Sequence, residues 1–316
     1  MTKLVLRVTT MAEFVVLVLI GAVSAATPLI LAGLGETVLE RSGAGIGLGL
    51  EGTMVCGALA GVLGSAVGGP WAGLGSGVLA GLAFGGLYAA GLGCGADGVL
   101  VGITLTLLGT GLSTYIAQAT DPADQTALSA PTLPTISLPW LDRVPVVAPL
   151  FTGTSVAVYL AIVATALMWW MFRFTRFGLR LRTVGDDPES ATVLGISVPG
   201  HRTAAALIAG GFGGIAGAAL SLGSIGTFAP MMTTGRGFIA LTIVILARRH
   251  PVGVAAAALL IGVFDSLALL AQTRTLRLPV EAYQVLPWIG AFLMLYIDGH
   301  RRIRRVHHLP PQKEPI

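Results

Sequence analysis

Ten apolar segments, set almost end to end, dominate this sequence and leave little choice of fold class. They run 11–26, 27–40, 47–67, 71–92, 98–118, 151–172, 203–223, 237–247, 252–272 and 280–298. A hydrocarbon core of about 30 Å takes a helix of about 20 apolar residues, so most of these are candidate crossings. Backbone groups in lipid must find partners inside the protein, which restricts lipid-facing crossings to helices here. The composition agrees: 11% of the residues are charged, against about 25% in a soluble domain. A mean hydropathy of +0.84 excludes a disordered chain, because disorder needs polarity and charge. The 44 glycines keep no three-residue period, which excludes collagen. The reading is an all-α polytopic membrane protein of about ten transmembrane helices, a single transmembrane domain over 1–316.

Several segments are short of a full span. Segments 11–26 and 27–40 abut at Thr27-Pro28, and 237–247 follows an irregular Gly-rich stretch. Short or broken segments belong inside a bundle, lining a cavity. Lys3 and Arg7 precede the first apolar run as in a cleaved signal, but Ser24-Ala25-Ala26 leads straight into further apolar sequence. The first helix is therefore read as retained.

The sequence pI near 9.4 is read as topology rather than as affinity for nucleic acid, because the basic residues sit between apolar runs. With ten crossings and a cytoplasmic N-terminus, 15 Lys and Arg fall inside and 4 outside, a clear positive-inside bias. This implies a bacterial-type cytoplasmic membrane with both termini cytoplasmic. A single helix over 11–40 gives nine crossings instead and forces Lys3 and Arg7 outside.

Three polar stretches remain. Residues 119–150 carry six prolines and read as an extracytoplasmic loop, more simply a connector than a contact for a soluble partner. Residues 299–316 read as a basic cytoplasmic tail. Residues 173–202 form a cytoplasmic loop between the sixth and seventh crossings. Within it, Asp186 through Gly195 reads as a short capped helix. Asp187 suits the N-cap and Pro188 the first helical position. Glu189 favours the positive helix end, and Gly195 suits the C-terminal stop.

A weak inverted repeat is legible. Gly-rich 43–52 leads an apolar segment, Gly69-Pro70 and a Gly/Ala-rich helix; Gly235-Arg236-Gly237 leads an apolar segment, His250-Pro251 and an Ala-rich helix. Transporters use such repeats with binding near their interface.

Catalytic patterns are missing. The only lysines, Lys3 and Lys313, lack the context of a phosphate-binding Gly-rich loop. No clustered Cys/His set suggests zinc. Cys56 and Cys94 read as small buried hydrophobes, and the five histidines as interface residues. Acids in apolar segments are functional candidates because burying them is costly. Glu51, among four glycines, meets a polar solute or holds helices together. Asp265, between Phe264 and Ser266, favours the solute path. Glu36 and Glu40 lie near Arg41 and the inner interface and read as a structural pair or as snorkelling side chains, and Asp97 reads as an N-cap. No ladder of intramembrane acids suggests a proton pump. Phe238, Phe264, Gln284 and Trp288 are further candidates for the path, as polar groups or aromatic walls.

Three runs of residues are familiar as a set. Leu181-Arg182-Thr183-Val184-Gly185-Asp186-Asp187-Pro188-Glu189-Ser190-Ala191-Thr192-Val193-Leu194-Gly195-Ile196 resembles the cytoplasmic coupling loop of membrane subunits in ATP-binding-cassette importers. The branch is the one serving ribose, branched-chain amino acids and nucleosides. Gly235 to Leu241, ending at His250-Pro251, resembles the nucleoside and simple-sugar subgroup, as does Glu40-Arg41-Ser42-Gly43 through Leu50-Glu51-Gly52. One departure is that Gly47 stands where related sequences usually carry Asn.

The resemblance implies a permease subunit with about ten helices that imports nucleosides or simple sugars by alternating access. It implies as partners two ATPase cassettes, or one tandem ATPase, and a second permease chain, related but different. An extracytoplasmic solute-binding protein and membrane lipids complete the set. ATP and Mg would bind at the partner subunits and no cofactor at this chain. Residues Asp186, Asp187, Pro188, Glu189, Ala191 and Gly195 would dock on the ATPase. An ion-coupled secondary transporter of a small polar solute is the alternative reading.

Overall fold

A computed structural model describes residues 11–120, 128–136, 153–223 and 226–273. Ten helices occur among them. Four come before the long polar loop: α1 (Met11–Arg41), α2 (Leu50–Gly68), α3 (Pro70–Gly93) and α4 (Gly98–Thr120). After it come α5 (Val156–Phe174), α6 (Arg176–Asp186), α7 (Pro188–Val193), α8 (Val198–Leu222), α9 (Arg236–Leu246) and α10 (Pro251–Thr273). Seven of these are long and apolar enough to cross a membrane. The segment 280–298 and the tail 299–316 lie outside the described residues.

The expected break at Thr27-Pro28 is absent. Residues 11–41 form one 31-residue helix with Pro28 inside it, about 46 Å long at 1.5 Å per residue. Proline removes one ladder hydrogen bond, but packing on this half of the helix overrides that loss. Every residue from 26 to 40 is buried, against α8, α9, α10 and α5. The Thr27 hydroxyl donates to the Val23 carbonyl at 2.8 Å, adding a local bond beside the gap. Met11 and Arg41 therefore lie at opposite ends of one span. The division of this stretch into two segments at Thr27-Pro28 does not hold.

Helices α2, α3 and α8 form a second packing unit built on close backbone approach. A methyl group at Gly57 of α2 would come within 2.5 Å of the Gly214 carbonyl oxygen of α8. One at Gly77 of α3 would meet Ala218 of α8 at 2.7 Å. Lipid tails provide no hydrophobic drive between helices, so small residues that let backbones touch hold such units together by van der Waals contact.

Two small antiparallel ladders stand at the far end from Arg41. Strand β1 (Leu128–Ser129) pairs with β4 (Thr227–Phe228), Leu128 opposite Phe228; β2 (Thr135–Ile136) pairs with β3 (Thr154–Ser155). Leu133 and Phe228 are buried there, and Ser65 of α2 donates to the Pro131 carbonyl at 2.7 Å. The described part of the proline-rich loop is thus seated on the bundle rather than merely strung across it.

Helix α9 has 11 residues and is about 16 Å long, half a hydrocarbon core. Its last turn lies beside the end of α1, where Arg249 Nε donates to Glu40 Oε2 at 3.1 Å. Its first turn packs on the start of α2, with Gly237 buried there.

Candidate functional site

A helix that begins inside a membrane must find acceptors for its first N–H groups. Those of α9 find Glu51. Gly235 N–H donates to Glu51 Oε1 at 2.9 Å and Gly237 N–H to Oε2 at 2.6 Å. The Thr233 hydroxyl also donates to Oε1. Glu51 is buried at the first turn of α2, so α2 caps α9 from 184 residues away. Gly235 takes φ +81°, a left-handed value that favours glycine. Gly237 is needed for proximity: a Cβ there would fall 2.7 Å from the Glu51 backbone.

Between the two glycines, Arg236 turns to α10. Its Nη2 meets Asp265 Oδ2 at 3.0 Å, and both side chains are about a quarter exposed (26% and 25%). The structure therefore gathers Glu51 and Asp265 around the start of α9 and gives each a protein partner. Phe238 follows on the same helix, 39% exposed, and Phe264 precedes Asp265, partly buried. Gln284 and Trp288 lie outside the described residues. Sequence reasoning overlooks Thr233, and it uses Arg236 as a topology marker and as part of the Gly235-Arg236-Gly237 motif without a partner. The available signal was a cation flanked by two glycines at the head of a segment too short to span.

The two acids of α1 have other partners than Arg41. Glu36 Oε1 accepts the Gly47 N–H at 2.6 Å, beside a cavity of about 30 Å³ lined also by Thr53 and Tyr88. Glu40 pairs with Arg249. A Cβ at residue 47 would stand 2.5 Å from Glu36 Oε2, so an Asn there would displace that carboxylate. Asp97 behaves as read, accepting the Val99 N–H at 2.7 Å. Cys56 is buried and its thiol donates to the Gly109 carbonyl, whereas Cys94 is exposed.

At the arginine-rich end, α6 packs against α1, α5 and α8 and leads into α7. Asp187 caps α7: its Oδ1 accepts the Glu189 and Ser190 N–H groups at 3.1 Å each, and its Oδ2 accepts the Ser190 hydroxyl. The Ser190 hydroxyl, then its amide, hold the Asp187 carboxyl below the usual carboxylate range. Pro188 occupies the first turn. Gly195 ends the unit at φ +74°, and Ile196 N–H closes onto the Ala191 carbonyl at 2.9 Å. Asp186, Asp187, Pro188, Glu189 and Gly195 are exposed; Ala191 is fully buried and faces its own chain. Two apolar side chains project there instead, Val193 (88% exposed) and Leu194 (69%). Gly185 at the end of α6 packs on the backbone at Gly43, its Cα 3.1 Å from where a Gly43 Cβ would stand. That contact joins α6 to the α1–α2 connection, which leads on to Glu51. Among the described residues no group of three or more metal-ligating side chains occurs.

Residues 18–296 match the family model described as branched-chain amino acid transport system / permease component. A putative glucose ABC transporter permease protein of Haloferax volcanii is 38% identical over 264 residues, 83% of this chain and 80% of that one. A nucleoside ABC transporter permease protein of Lactococcus lactis is 34% identical, covering 85% of this chain and 88% of its own. A guanosine ABC transporter permease protein of Bacillus subtilis is 33% identical, covering 78% and 79%. No solved structure matches the chain.

Proposed function

Because the chain belongs to the family of branched-chain amino acid transport system permease components, we propose that it carries nucleosides or simple sugars through an ATP-driven importer. The chain is a membrane permease subunit, and ATP hydrolysis resides in separate chains. The substrate class rests on relatives named for glucose, nucleosides and guanosine.

In this reading the arginine-rich end of the bundle faces the cytoplasm of a bacterial-type inner membrane, in keeping with the positive-inside rule. The start of α1 is then extracytoplasmic. Helix α7 docks on an ATPase through Asp186, Asp187, Pro188, Glu189, Val193, Leu194 and Gly195. Closure of two cassettes, or one tandem ATPase, pushes α7. The push reaches α6, the Gly185–Gly43 contact and the α1–α2 connection. The start of α9 then shifts relative to the second permease chain, and the path switches from outward to inward access. An extracytoplasmic solute-binding protein delivers the solute. Two units, α2–α3 and α9–α10, each with a proline opening the second helix, form the inverted repeat. Phe238, Phe264 and residues 284 and 288 line the path, while Glu51 and Asp265 position its walls.

The observation that carries this reading is α7: a locally capped helix with two exposed apolar side chains, at the arginine-rich end. The test is uptake of labelled nucleosides and sugars by the assembled importer carrying Asp187→Lys or Glu189→Lys. We expect normal insertion and assembly with uptake reduced about tenfold or more, since like charge across an interface costs several kcal/mol. Normal uptake in both variants would sink the coupling role. Uptake that survives ATP depletion but collapses with an ionophore would establish an ion-coupled carrier instead.

A further inference from the structure

The arginine-rich end carries a second feature that solute transfer does not use. Arg41 at the end of α1, Arg173 on α5, Arg182 on α6 and His250 before α10 converge on a cavity of about 300 Å³, with Trp169 and Phe172 in its wall. The Arg41 guanidinium stacks 4.5 Å over the Phe172 ring, and its Nε donates to the Arg249 carbonyl at 2.7 Å. Those contacts hold the cation in place without neutralising it. Glu40 is already taken by Arg249; among the described residues no carboxylate makes an ion pair with Arg41, Arg173 or Arg182, and Asp186 acts on Arg41 only from beyond ion-pair distance.

Trp169 also lines a second cavity, of about 460 Å³, that runs up the groove between α1, α5 and α10. Its walls are apolar, including Ile30, Ile162, Ala166 and Leu259. Pro251 borders the lower cavity and Val252 the upper, so the two adjoin at both Trp169 and the start of α10. A cationic chamber at the end of the span, opening into an apolar groove within it, has the polarity profile of one kind of molecule. Tryptophan at the junction suits the headgroup level.

We propose that these joined cavities bind an anionic phospholipid, its phosphate among Arg41, Arg173, Arg182 and His250 and an acyl chain in the α1–α5–α10 groove. Basic pockets between transmembrane helices recognise lipid headgroups in this way. The charge complementarity selects an anionic lipid over a neutral one. The groove selects a lipid over a free anion. The site lies apart from the start of α9 and does not depend on which solute is carried.

The test uses the assembled importer in nanodiscs and counts retained lipid by native mass spectrometry, with phosphatidylglycerol, phosphatidylcholine and inorganic phosphate as probes. Wild type should retain phosphatidylglycerol preferentially, and excess inorganic phosphate should not displace it. The double variant Arg173→Gln/Arg182→Gln, at two exposed positions, should lose about thirtyfold in that preference, at about 1 kcal/mol per arginine. Ala166→Trp, from an exposed position in the groove wall, should lower retention with the arginines intact. Equal retention of phosphatidylcholine, displacement by inorganic phosphate, or unchanged retention in the double variant would each overturn the proposal.

Discussion

Asp187 and Glu51 perform the same task at opposite ends of the sequence scale. Each is a carboxylate that accepts the first N–H groups of a helix. Asp187 reaches residues two and three positions on, in full exposure. Glu51 reaches residues 184 and 186 positions on, buried in the bundle. The local cap satisfies the first amides of α7 from within its own turn. The remote cap ties α2 to α9, so that neither can move without the other. In water an uncapped N-terminus is solvated; inside a membrane it has no such recourse. The two caps should therefore fail in very different ways.

The largest effect is expected at Glu51. Glu51→Ala strands two amides and a hydroxyl in a buried site, at about 1–3 kcal/mol for each unsatisfied group. We expect little folded protein in detergent by fluorescence-detected gel filtration, with partial recovery in Glu51→Gln, which keeps one acceptor oxygen. Full stability in Glu51→Ala would break the comparison.

Next comes the Arg236–Asp265 pair. A double-mutant cycle of Arg236→Gln and Asp265→Asn, read by thermal stability, should give a coupling of about 1 kcal/mol, modest because both side chains are partly exposed. A coupling near zero would mean that Asp265 answers to something other than Arg236.

The smallest effect is expected at Asp187, and it is local. Its carboxyl titrates below the usual range in the folded protein. The cap is therefore intact above the unfolded carboxylate pKa and is lost as pH falls through the lower folded value. Hydrogen exchange at the Glu189 and Ser190 amides should quicken in that acid window, while the α2 amides stay protected. Asp187→Asn keeps an acceptor and should flatten the dependence. Acid loss of protection that spreads to α2 would merge the two caps into one unit.

The contrast also explains what could be read in advance. The α7 unit was legible because Asp187, Pro188, Glu189 and Gly195 act within one another's reach, and local chemistry shows in local order. The intramembrane acids were legible as exceptions, since each is costly to bury. Their partners were not. Glu51 reads alone as a solute contact or a helix fastener, and its three donors, Thr233, Gly235 and Gly237, lie 182 to 186 residues on. Glu40 stands beside Arg41 in sequence, yet folding brings it Arg249. The break at Thr27-Pro28 was inferred from a propensity that packing overrode. Ala191 was grouped with the docking residues, although the helix turns it inward and turns Val193 and Leu194 out.

The sequence by itself determined the class of protein and the presence of a capped helix among its arginines. Hydrophobic burial and local capping act over a few residues, so order along the chain suffices to set them. Only the tertiary structure decided which acid meets which donor, and that α1 runs unbroken past Pro28. It also decided that the short α9 starts at Glu51. Those outcomes depend on helices far apart in sequence approaching to backbone contact, where a single Cβ at Gly237 would be too large.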